Sequence, residues 1–387
     1  MKPIIIVGAG LAAWTVVKEL RKLDQAVPLL MVAADAADFY SKPMLSNAVA
    51  ADKSIAQLLQ TPAANMASTL KVTLKAHTRV SSIDRAGKAL ILEEGSELTY
   101  SHLVLALGAD PIRLPIAGDA ANEIMSVNDL ADYSKFRQRL SMVATGSGHL
   151  AILGAGLIGC EFANDLSSSL GKLSVYDLAA QPLGRLLPAQ AAAFYQEKLA
   201  SAGINFHFGR SIRQVDFAQK GSYRLSIDDG STQHVDLLLS AVGLRPRTSL
   251  AEAAGLAINR GIQTDRYLAT DDPSIFAIGD CAEVAGLNLP FVLPIMHAAR
   301  ALAATLAGQA TTVGYPAMPV VVKTPACPTV VAPPPAGSTG NWQEEVLNDG
   351  VRSLFRSAEG QLLGFALCGA TAGERQQWAK ELPPTLI

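Results

Sequence analysis

Two stretches of the chain repeat the same order of apolar, small and helix-forming residues. PIIIVGAGLAAW occupies positions 3–14 and AILGAGLIGCEF occupies positions 151–162. In each stretch a short apolar run leads into a glycine-rich turn, after which apolar residues recur at helical spacing. The pattern predicts two strand–helix–strand units. Their expected elements cover 3–7, 11–23 and 29–33 in the first unit, and 150–153, 157–168 and 173–176 in the second.

Three further apolar runs, at 103–107, 237–242 and 275–278, each lead into a glycine. Buried parallel strands often end in this way, where they reach a ligand crevice. The last of these runs falls in the segment 242–320, which is expected to belong to the same domain as the first unit.

The composition of the chain changes beyond Tyr315, where prolines become frequent. This stretch indicates a linker with two edge strands, because edge strands tolerate proline. The alternating segments that follow predict a β-meander at 342–347, 351–356 and 362–367, and then a closing helix at 372–381.

Together these elements predict an α/β fold with two Rossmann-like dinucleotide-binding domains and a small C-terminal α+β domain. The first domain is expected to be discontinuous and to comprise 1–111 and 242–320. The second would comprise 112–241, and the C-terminal domain 321–387.

Both turns follow the spacing Gly-x-Gly-x-x-Gly/Ala, which suits a bound dinucleotide. The first glycine makes the turn, the second lets a pyrophosphate approach the backbone, and the third position lets helix and strand pack closely. Free N–H groups at the start of the helix then meet the phosphates. A tight turn without a ligand is the alternative for one copy, but two copies favour two dinucleotides. The candidate binding residues are Gly8, Gly10, Leu11, Ala12, Ala13, Gly154, Gly156, Leu157, Ile158 and Gly159.

An acidic residue after the second strand of each unit would bind a ribose hydroxyl. In the second unit this residue is Asp177, which would repel a 2′-phosphate, and no adjacent arginine would receive one. The sequence therefore favours NADH over NADPH. In the first unit the nearest candidate is Asp35, slightly later than usual. A surface-turn aspartate is the alternative at both positions.

The composition of the chain argues against several classes of protein. A net charge of −2 gives no basic surface for nucleic acid or an anionic membrane, and no apolar run is long enough to span a membrane. The four cysteines stand far apart and the six histidines have no ligand spacing, so neither a disulfide framework nor a metal site is expected. A cytoplasmic location fits this composition best.

Several motifs resemble those of the flavoprotein pyridine nucleotide–disulfide oxidoreductases. Over essentially its whole length the chain is similar to the branch of that family that reduces rubredoxin with NADH. The resemblance implies a glutathione-reductase-like fold, FAD on the first loop, NADH on the second and rubredoxin as the partner. The motifs are GAGLAAW, FYSKPMLSN, LVLALGADPIRLP, LGAGLIGCEFANDL, SAVGLRPRT, IFAIGDCAEV and PVVVKTPACP.

The resemblance also implies roles for single residues. Asp280, after Gly279, would bind a ribityl hydroxyl, and Lys42 would lie beside the FAD pyrophosphate or the flavin edge. A helix N-cap and a solvated surface charge are the respective alternatives. The remaining implied contacts are Val80 at the adenine, Ala106 and Gly108 against the cofactor, and Gly243 near NADH.

One absence separates the chain from the disulfide reductases of this fold, which carry redox-active cysteines beside the flavin. The corresponding segment, FYSKPMLSNAVAA, has no cysteine. Related ferredoxin reductases have a lysine where this chain has Asn47, and that lysine pairs with the glutamate corresponding to Glu161. Asn47 cannot neutralise Glu161, so Lys323 is the candidate to supply positive charge near the flavin. An exposed edge-strand lysine is the alternative for Lys323.

The resulting expectation is an enzyme that passes hydride from NADH to FAD and then single electrons to rubredoxin. Glu161 and Lys323 are its candidate catalytic residues, and a helix from Pro294 would offset negative charge on the flavin. Alkane hydroxylation is one process that such carriers serve. A ferredoxin-type reductase, an NADH oxidase and a non-catalytic FAD- and NADH-binding sensor remain open alternatives.

The surface that receives the carrier is a separate question. Arg245, Arg247, Lys42 and Lys323 are candidates for a basic collar around the flavin edge. An apolar docking rim is the alternative. Salt separates the two possibilities, because rim charges mainly affect association rate and salt dependence.

Overall fold

The computed structural model describes residues 1–143 and 147–387, apart from the side chain of Lys220, and every element given below lies within them. The first strand–helix–strand unit forms as predicted, with the helix Leu11–Leu23 between its two strands. These strands belong to a parallel sheet, the first nucleotide sheet, whose central strand is Ile4–Val7. In spatial order, its strands are Ile275–Ala277, His102–Leu105, Ile4–Val7, Leu29–Val32 and Thr73–Lys75.

The second unit forms another parallel sheet, the second nucleotide sheet, and its helix is Leu157–Leu166. In spatial order, its strands are Ile204–Phe208, Lys172–Asp177, His149–Leu153 and Leu237–Ser240. In both sheets the strand before the glycine loop lies between neighbours on opposite sides, which is the switch point where ligands bind. The chain leaves the first sheet after Leu105 and returns to it at Ile275. The residue boundaries of the three domains stay a prediction.

Smaller sheets and helices complete the nucleotide-binding part. Antiparallel strands are Val80–Asp84, Ala89–Leu92 and Glu97–Thr99; Ile212–Phe217, Tyr223–Ile227 and Thr232–Val235; Phe39–Tyr40 and Leu59–Thr61; Ala109–Pro111 and Leu244–Pro246. Ile262–Thr264 and Ala282–Val284 form a parallel pair. The further α-helices are Ile55–Leu58, Ala63–Thr69, Leu130–Met142, Ala189–Ser201, Ser249–Ala253 and Val292–Leu306, and short 3-10 helices cover Lys42–Asn47, Ala121–Glu123, Gln219–Gly221 and Gly279–Cys281. Within the described residues no helix is both long and apolar enough to cross a membrane.

The C-terminal sheet is antiparallel, and it differs from the sequence prediction at one strand. In spatial order, its strands are Val320–Val322, Thr329–Ala332, Leu362–Gly369, Gly350–Arg356 and Asn341–Leu347. Thr329–Ala332 was expected at an edge, but it pairs on both sides. Its flanking prolines, Pro328 and Pro333, stand just outside the strand, so they remove no hydrogen bond from the ladder.

The closing helix is shorter than the predicted 372–381. A 3-10 turn covers Ala370–Glu374, and the α-helix itself is Arg375–Ala379. Gly373 lies inside the 3-10 turn, and glycine is among the least favourable residues for an α-helix interior.

One face of the C-terminal sheet is buried in a core that it shares with the second nucleotide sheet. Val331 and Ala366 from the first of these sheets share one buried core with Ile152 and Val175 from the second. The helix Ala189–Ser201 lies between them and contributes Tyr195, which is fully buried. This shared core fixes the position of the edge strand Val320–Val322 relative to the glycine loops.

Candidate active site

The site is one large cavity of about 2390 Å³, lined by both glycine loops. The first turn of the helix Val292–Leu306 lines it as well, and so do residues from the edge of the C-terminal sheet. The cavity is therefore built by all three parts of the chain and has room for extended ligands.

All of the predicted binding residues line this cavity except Ala13 and Gly159. Those that do are Gly8, Gly10, Leu11, Ala12, Asp35, Lys42, Val80, Ala106, Gly108, Gly154, Gly156, Leu157, Ile158, Glu161, Asp177, Gly243, Gly279, Asp280 and Lys323. Ala13 is fully buried, and a Cβ on Gly159 would lie 1.9 Å from the carbonyl oxygen of Gly154. Both therefore are close-packing positions behind the loops and lie outside the cavity lining.

The first glycine of each loop is required by the backbone. Gly8 has φ +110°, and a Cβ there would lie 2.2 Å from the carbonyl oxygen of Ala106. Gly154 has φ +102°, and its Cβ would lie 2.7 Å from the carbonyl oxygen of Ala241. Side chains at these two positions would be both strained and blocked, so each loop depends on glycine to turn into its helix.

The second glycine of each loop is explained by the space in front of it and not by its backbone conformation. Gly10 and Gly156 have ordinary φ values near −75°, and a Cβ on either would meet no protein atom within 4 Å. The missing side chain therefore leaves free space facing the cavity. Neither helix has a side-chain N-cap or an acidic residue in its first turn, so its N–H groups are available to an anion. Both loops thus fit the pyrophosphate of a dinucleotide.

Glu161, Ser46 and Lys323 form a buried polar cluster beside the second loop. The Lys323 ammonium lies 2.5 Å from Oε2 of Glu161, 2.9 Å from Oγ of Ser46 and 2.6 Å from the carbonyl oxygen of Pro43. Ser46 donates to the same Glu161 oxygen at 2.5 Å, and the backbone N–H of Lys323 donates to Oε1 at 3.0 Å. Glu161 is 3% exposed, so these partners replace the water that its carboxylate has lost.

Lys323 has the contacts of a paired cation, while its charge near the flavin stays a prediction. The lysine pairs with Glu161 in the cavity wall, and it is not a free edge-strand charge. Glu161 thus has a lysine partner although position 47 is an asparagine. Ser46 was missed as a partner because its sequence position, 115 residues from Glu161, gives no sign of the contact.

Lys42 lies half-buried in the cavity wall. Burial lowers the pKa of its ammonium, and the negative charge of Asp280 opposes this shift. A partly desolvated cation in a cavity is stabilised by an anionic ligand, and pyrophosphate has this chemistry. The geometry therefore agrees with the role that the resemblance implies for Lys42.

Asp177 holds the second glycine loop from within. Its carboxylate accepts hydrogen bonds from the N–H groups of Ala155, at 2.6 Å, and Ala179, at 2.7 Å. The fold also brings Arg210, which is distant in sequence, next to Asp177. The backbone N–H of Arg210 donates to the carbonyl oxygen of Asp177 at 3.1 Å, while the Arg210 guanidinium pairs with Asp229 at 2.9 Å.

The cysteines lie in the packed interior of the chain. All four are free and buried. Burial raises the pKa of Cys160 to about 12 and that of Cys281 to about 11, so neither thiol ionises near neutral pH. Neither residue lines the cavity.

Comparison with known proteins identifies the class to which this fold and site belong. Residues 2–305 match the family described as pyridine nucleotide-disulphide oxidoreductase, and residues 312–382 match a rubredoxin-binding C-terminal domain. The chain belongs to the pyridine nucleotide-disulphide oxidoreductase family, whose cofactors are FAD and NAD(H). The family and fold predicted from the motifs are thereby confirmed.

Particular relatives are more specific. A rubredoxin-NAD(+) reductase of Alcanivorax borkumensis is 48% identical over 99% of both chains. One of Acinetobacter baylyi is 44% identical over 100% of this chain and 99% of its own. A crystal structure of a ferredoxin reductase from Rhodopseudomonas palustris, which serves the CYP199A2 system, superimposes with a TM-score of 0.87 at 26% identity, covering 99% of this chain and 96% of its own.

The two kinds of loop glycine predict different outcomes for the same substitution. Gly10→Val should leave the apoprotein folded but prevent FAD retention, because its side chain enters the cavity. Gly8→Val should lower the melting temperature of the apoprotein itself, because φ is positive and the Ala106 carbonyl blocks the side chain. Flavin absorbance after gel filtration and thermal melting of the apoprotein measure both. Flavin retention by Gly10→Val would contradict the assignment of the first loop.

Proposed function

We propose that the chain transfers hydride from NADH to FAD and then delivers single electrons to rubredoxin. FAD, when bound, supplies the step from two-electron to one-electron transfer. The observation that carries the proposal is the single cavity in which two dinucleotide loops meet Lys323 from the rubredoxin-binding domain. The full-length rubredoxin-NAD(+) reductase relatives support it.

In this proposal each loop receives one nucleotide. The first loop, Asp280 and Lys42 bind FAD, and the second loop and Asp177 bind NADH. The walls of the cavity would exclude water and orient the two nucleotides, since hydride transfer needs close approach and fixed orientation. No general acid is required for the hydride itself.

Glu161 and Lys323 act at the boundary between the two nucleotides. Their contact holds the first turns of the second loop's helix against the edge of the C-terminal sheet. The Lys323 ammonium also places a positive charge in the cavity wall, where this proposal puts the flavin. The N-terminal turn of the helix Val292–Leu306 lines the same cavity, and its dipole favours negative charge there.

The structure favours an apolar docking rim over the basic collar. Arg247 pairs with Asp110 at 2.6 Å, Lys323 is bound within its cluster, and Lys42 lies in the cavity wall. Arg245 is exposed, but it lies outside the cavity lining. Val321, which lies in the matched rubredoxin-binding domain, is 48% exposed at the cavity mouth. Val292 and Leu293 line the same mouth and are 40% and 47% exposed. We propose these three residues as the docking rim for rubredoxin.

Reduction of a ferredoxin is the second candidate function. It is favoured by the fold-wide similarity to the ferredoxin reductase of Rhodopseudomonas palustris. A cytoplasmic location and a part in alkane hydroxylation are further proposals. The four free, buried cysteines agree with a reducing compartment.

The acceptor decides between these functions. With NADH as donor, we expect turnover with rubredoxin to exceed turnover with a ferredoxin or with oxygen alone. Leu293→Asp should slow rubredoxin reduction by about tenfold, because it places a charge in an apolar interface. NADH-dependent flavin reduction should be unchanged. Leu23→Asp is the matched control, since Leu23 is an exposed leucine outside the cavity.

Three outcomes would count against the proposal. Faster turnover with ferredoxin, or rapid NADH consumption by oxygen alone, would assign a different acceptor. A strong fall of the rubredoxin step with added salt, together with an unaffected Leu293→Asp variant, would restore the basic collar.

In this proposal, the choice between NADH and NADPH depends on Asp177 and on the ion pair between Arg210 and Asp229. Wild-type protein should use NADH with the higher kcat/KM. Asp229→Asn releases the Arg210 guanidinium toward a 2′-phosphate while keeping the oxygen that binds Ser231. We expect it to raise kcat/KM for NADPH by about twofold to fivefold, the size of one exposed ion pair. The value for NADH should not change. Equal use of both nucleotides by wild-type protein would show that Asp177 does not select the ribose.

A further inference from the structure

A strained turn follows the strand Lys172–Asp177. Its first residue, Leu183, has φ +51°, in the left-handed region, and is only 2% exposed. Bulky side chains rarely adopt this backbone conformation. Where they do, the surrounding structure fixes them, and such positions cluster at ligand-binding segments. Sequence reasoning did not single out this turn.

The turn is bonded directly to the second glycine loop. The backbone N–H of Leu183 donates to the carbonyl oxygen of Ala155, the residue between the first two glycines of that loop, at 2.9 Å. The carbonyl oxygen of Leu183 accepts from the backbone N–H groups of Leu186, at 2.7 Å, and Leu187, at 3.0 Å. The side chains of Leu183 and Leu187 share one buried core with Ala155. The turn 183–187 is therefore closed on itself and fixed against the loop.

Arg185 lies on the exposed side of this turn and lines the cavity. It is two residues from Leu183, so their Cα atoms are at most about 7 Å apart. Arg210, which also lines the cavity, has its guanidinium paired with Asp229 at 2.9 Å. Among the described residues, by contrast, no carboxylate forms an ion pair with Arg185. The turn thus presents an uncompensated positive charge beside the second loop.

The ligand expected at this loop carries the complementary charge. Each phosphate group of a dinucleotide has a negative charge, whereas the N-terminus of the helix Leu157–Leu166 supplies only about half a positive charge. The loop itself, residues 154–159, contains no lysine or arginine. A guanidinium can bind two phosphate oxygens at once, which makes arginine well suited to complete such a site.

We infer that Arg185 binds the pyrophosphate of the nicotinamide dinucleotide. The alternative phosphate, on the 2′ position of NADPH, is less favoured because the Asp177 carboxylate stands by the same loop and accepts from the N–H of Ala155 at 2.6 Å. Arg185 is then a substrate-binding residue whose backbone the strained turn has already placed. This inference rests on the proposed NADH site.

ADP-ribose tests the inference without reference to activity, because it contains the pyrophosphate but has no hydride to give. Calorimetry with the FAD-loaded protein measures its Kd. Arg185→Gln should raise the Kd for ADP-ribose and the KM for NADH by about fivefold to tenfold, the loss expected for one solvent-exposed contact to a charged group. The kcat should not change, since the contact is the same before and during hydride transfer. Arg185→Lys keeps the charge without the two-point contact and should cost about twofold.

Arg300→Gln is the matched control. Arg300 is likewise exposed but lies outside the cavity lining, so its replacement should alter neither the Kd for ADP-ribose nor the KM for NADH. Steady-state kinetics with NADPH separates the two phosphates. A pyrophosphate contact predicts that Arg185→Gln raises the KM for NADPH by the same factor as that for NADH, whereas a 2′-phosphate contact predicts a rise for NADPH alone.

Two results would overturn the inference. One is an unchanged Kd for ADP-ribose in the Arg185→Gln variant, and the other is a loss confined to NADPH. Failure of the wild-type protein to bind ADP-ribose or to oxidise NADH would instead overturn the proposed function.

Discussion

The contact between Glu161 and Lys323 is the constraint on which the rest of the site depends. A carboxylate that is 3% exposed is stable in its charged form only if a partner replaces the water it has lost. The partner comes from the far end of the chain, on the edge strand Val320–Val322. Ser46 joins them from the 3-10 helix Lys42–Asn47. This cluster therefore ties together the second glycine loop's helix, the 3-10 helix Lys42–Asn47 and the C-terminal sheet.

This arrangement explains why the C-terminal sheet is part of the catalytic unit. Its apolar face shares a core with the second nucleotide sheet, through residues such as Val331 and Ile152. Its edge strand then completes the cavity wall and, at Val321, leaves an exposed apolar side chain at the mouth. The domain that matches rubredoxin binding thus contributes both to the internal electrostatics of the cavity and to its outer surface.

The glycine loops could be predicted from sequence because their chemistry is local. Gly8 and Gly154 are required by positive φ and by neighbouring carbonyl groups, and Gly10 and Gly156 leave open space that suits a phosphate. Such demands exclude nearly every other residue, so they are visible in the spacing alone. The two parallel sheets follow from the apolar runs that accompany the loops.

Other parts of the site depend on residues that meet only in the folded chain. Ser46 is a small polar residue of ordinary type, and only the fold shows that it has a particular partner in Glu161. Arg210 reaches the end of the Asp177 strand because adjacent strands pair there, although the two residues are distant in sequence. The prolines that flank the strand Thr329–Ala332 favour an edge position when only the sequence is considered. They stand outside the strand, however, and it pairs on both sides.

The central claim is that one cavity carries electrons from NADH through FAD to rubredoxin. Anaerobic absorbance spectra test it most directly, with NADH added first to the purified yellow protein and oxidised rubredoxin added second. The account predicts that NADH bleaches the flavin bands and that rubredoxin restores them as the rubredoxin itself is reduced. A flavin that NADH does not bleach, or that stays bleached when rubredoxin is added, would contradict it.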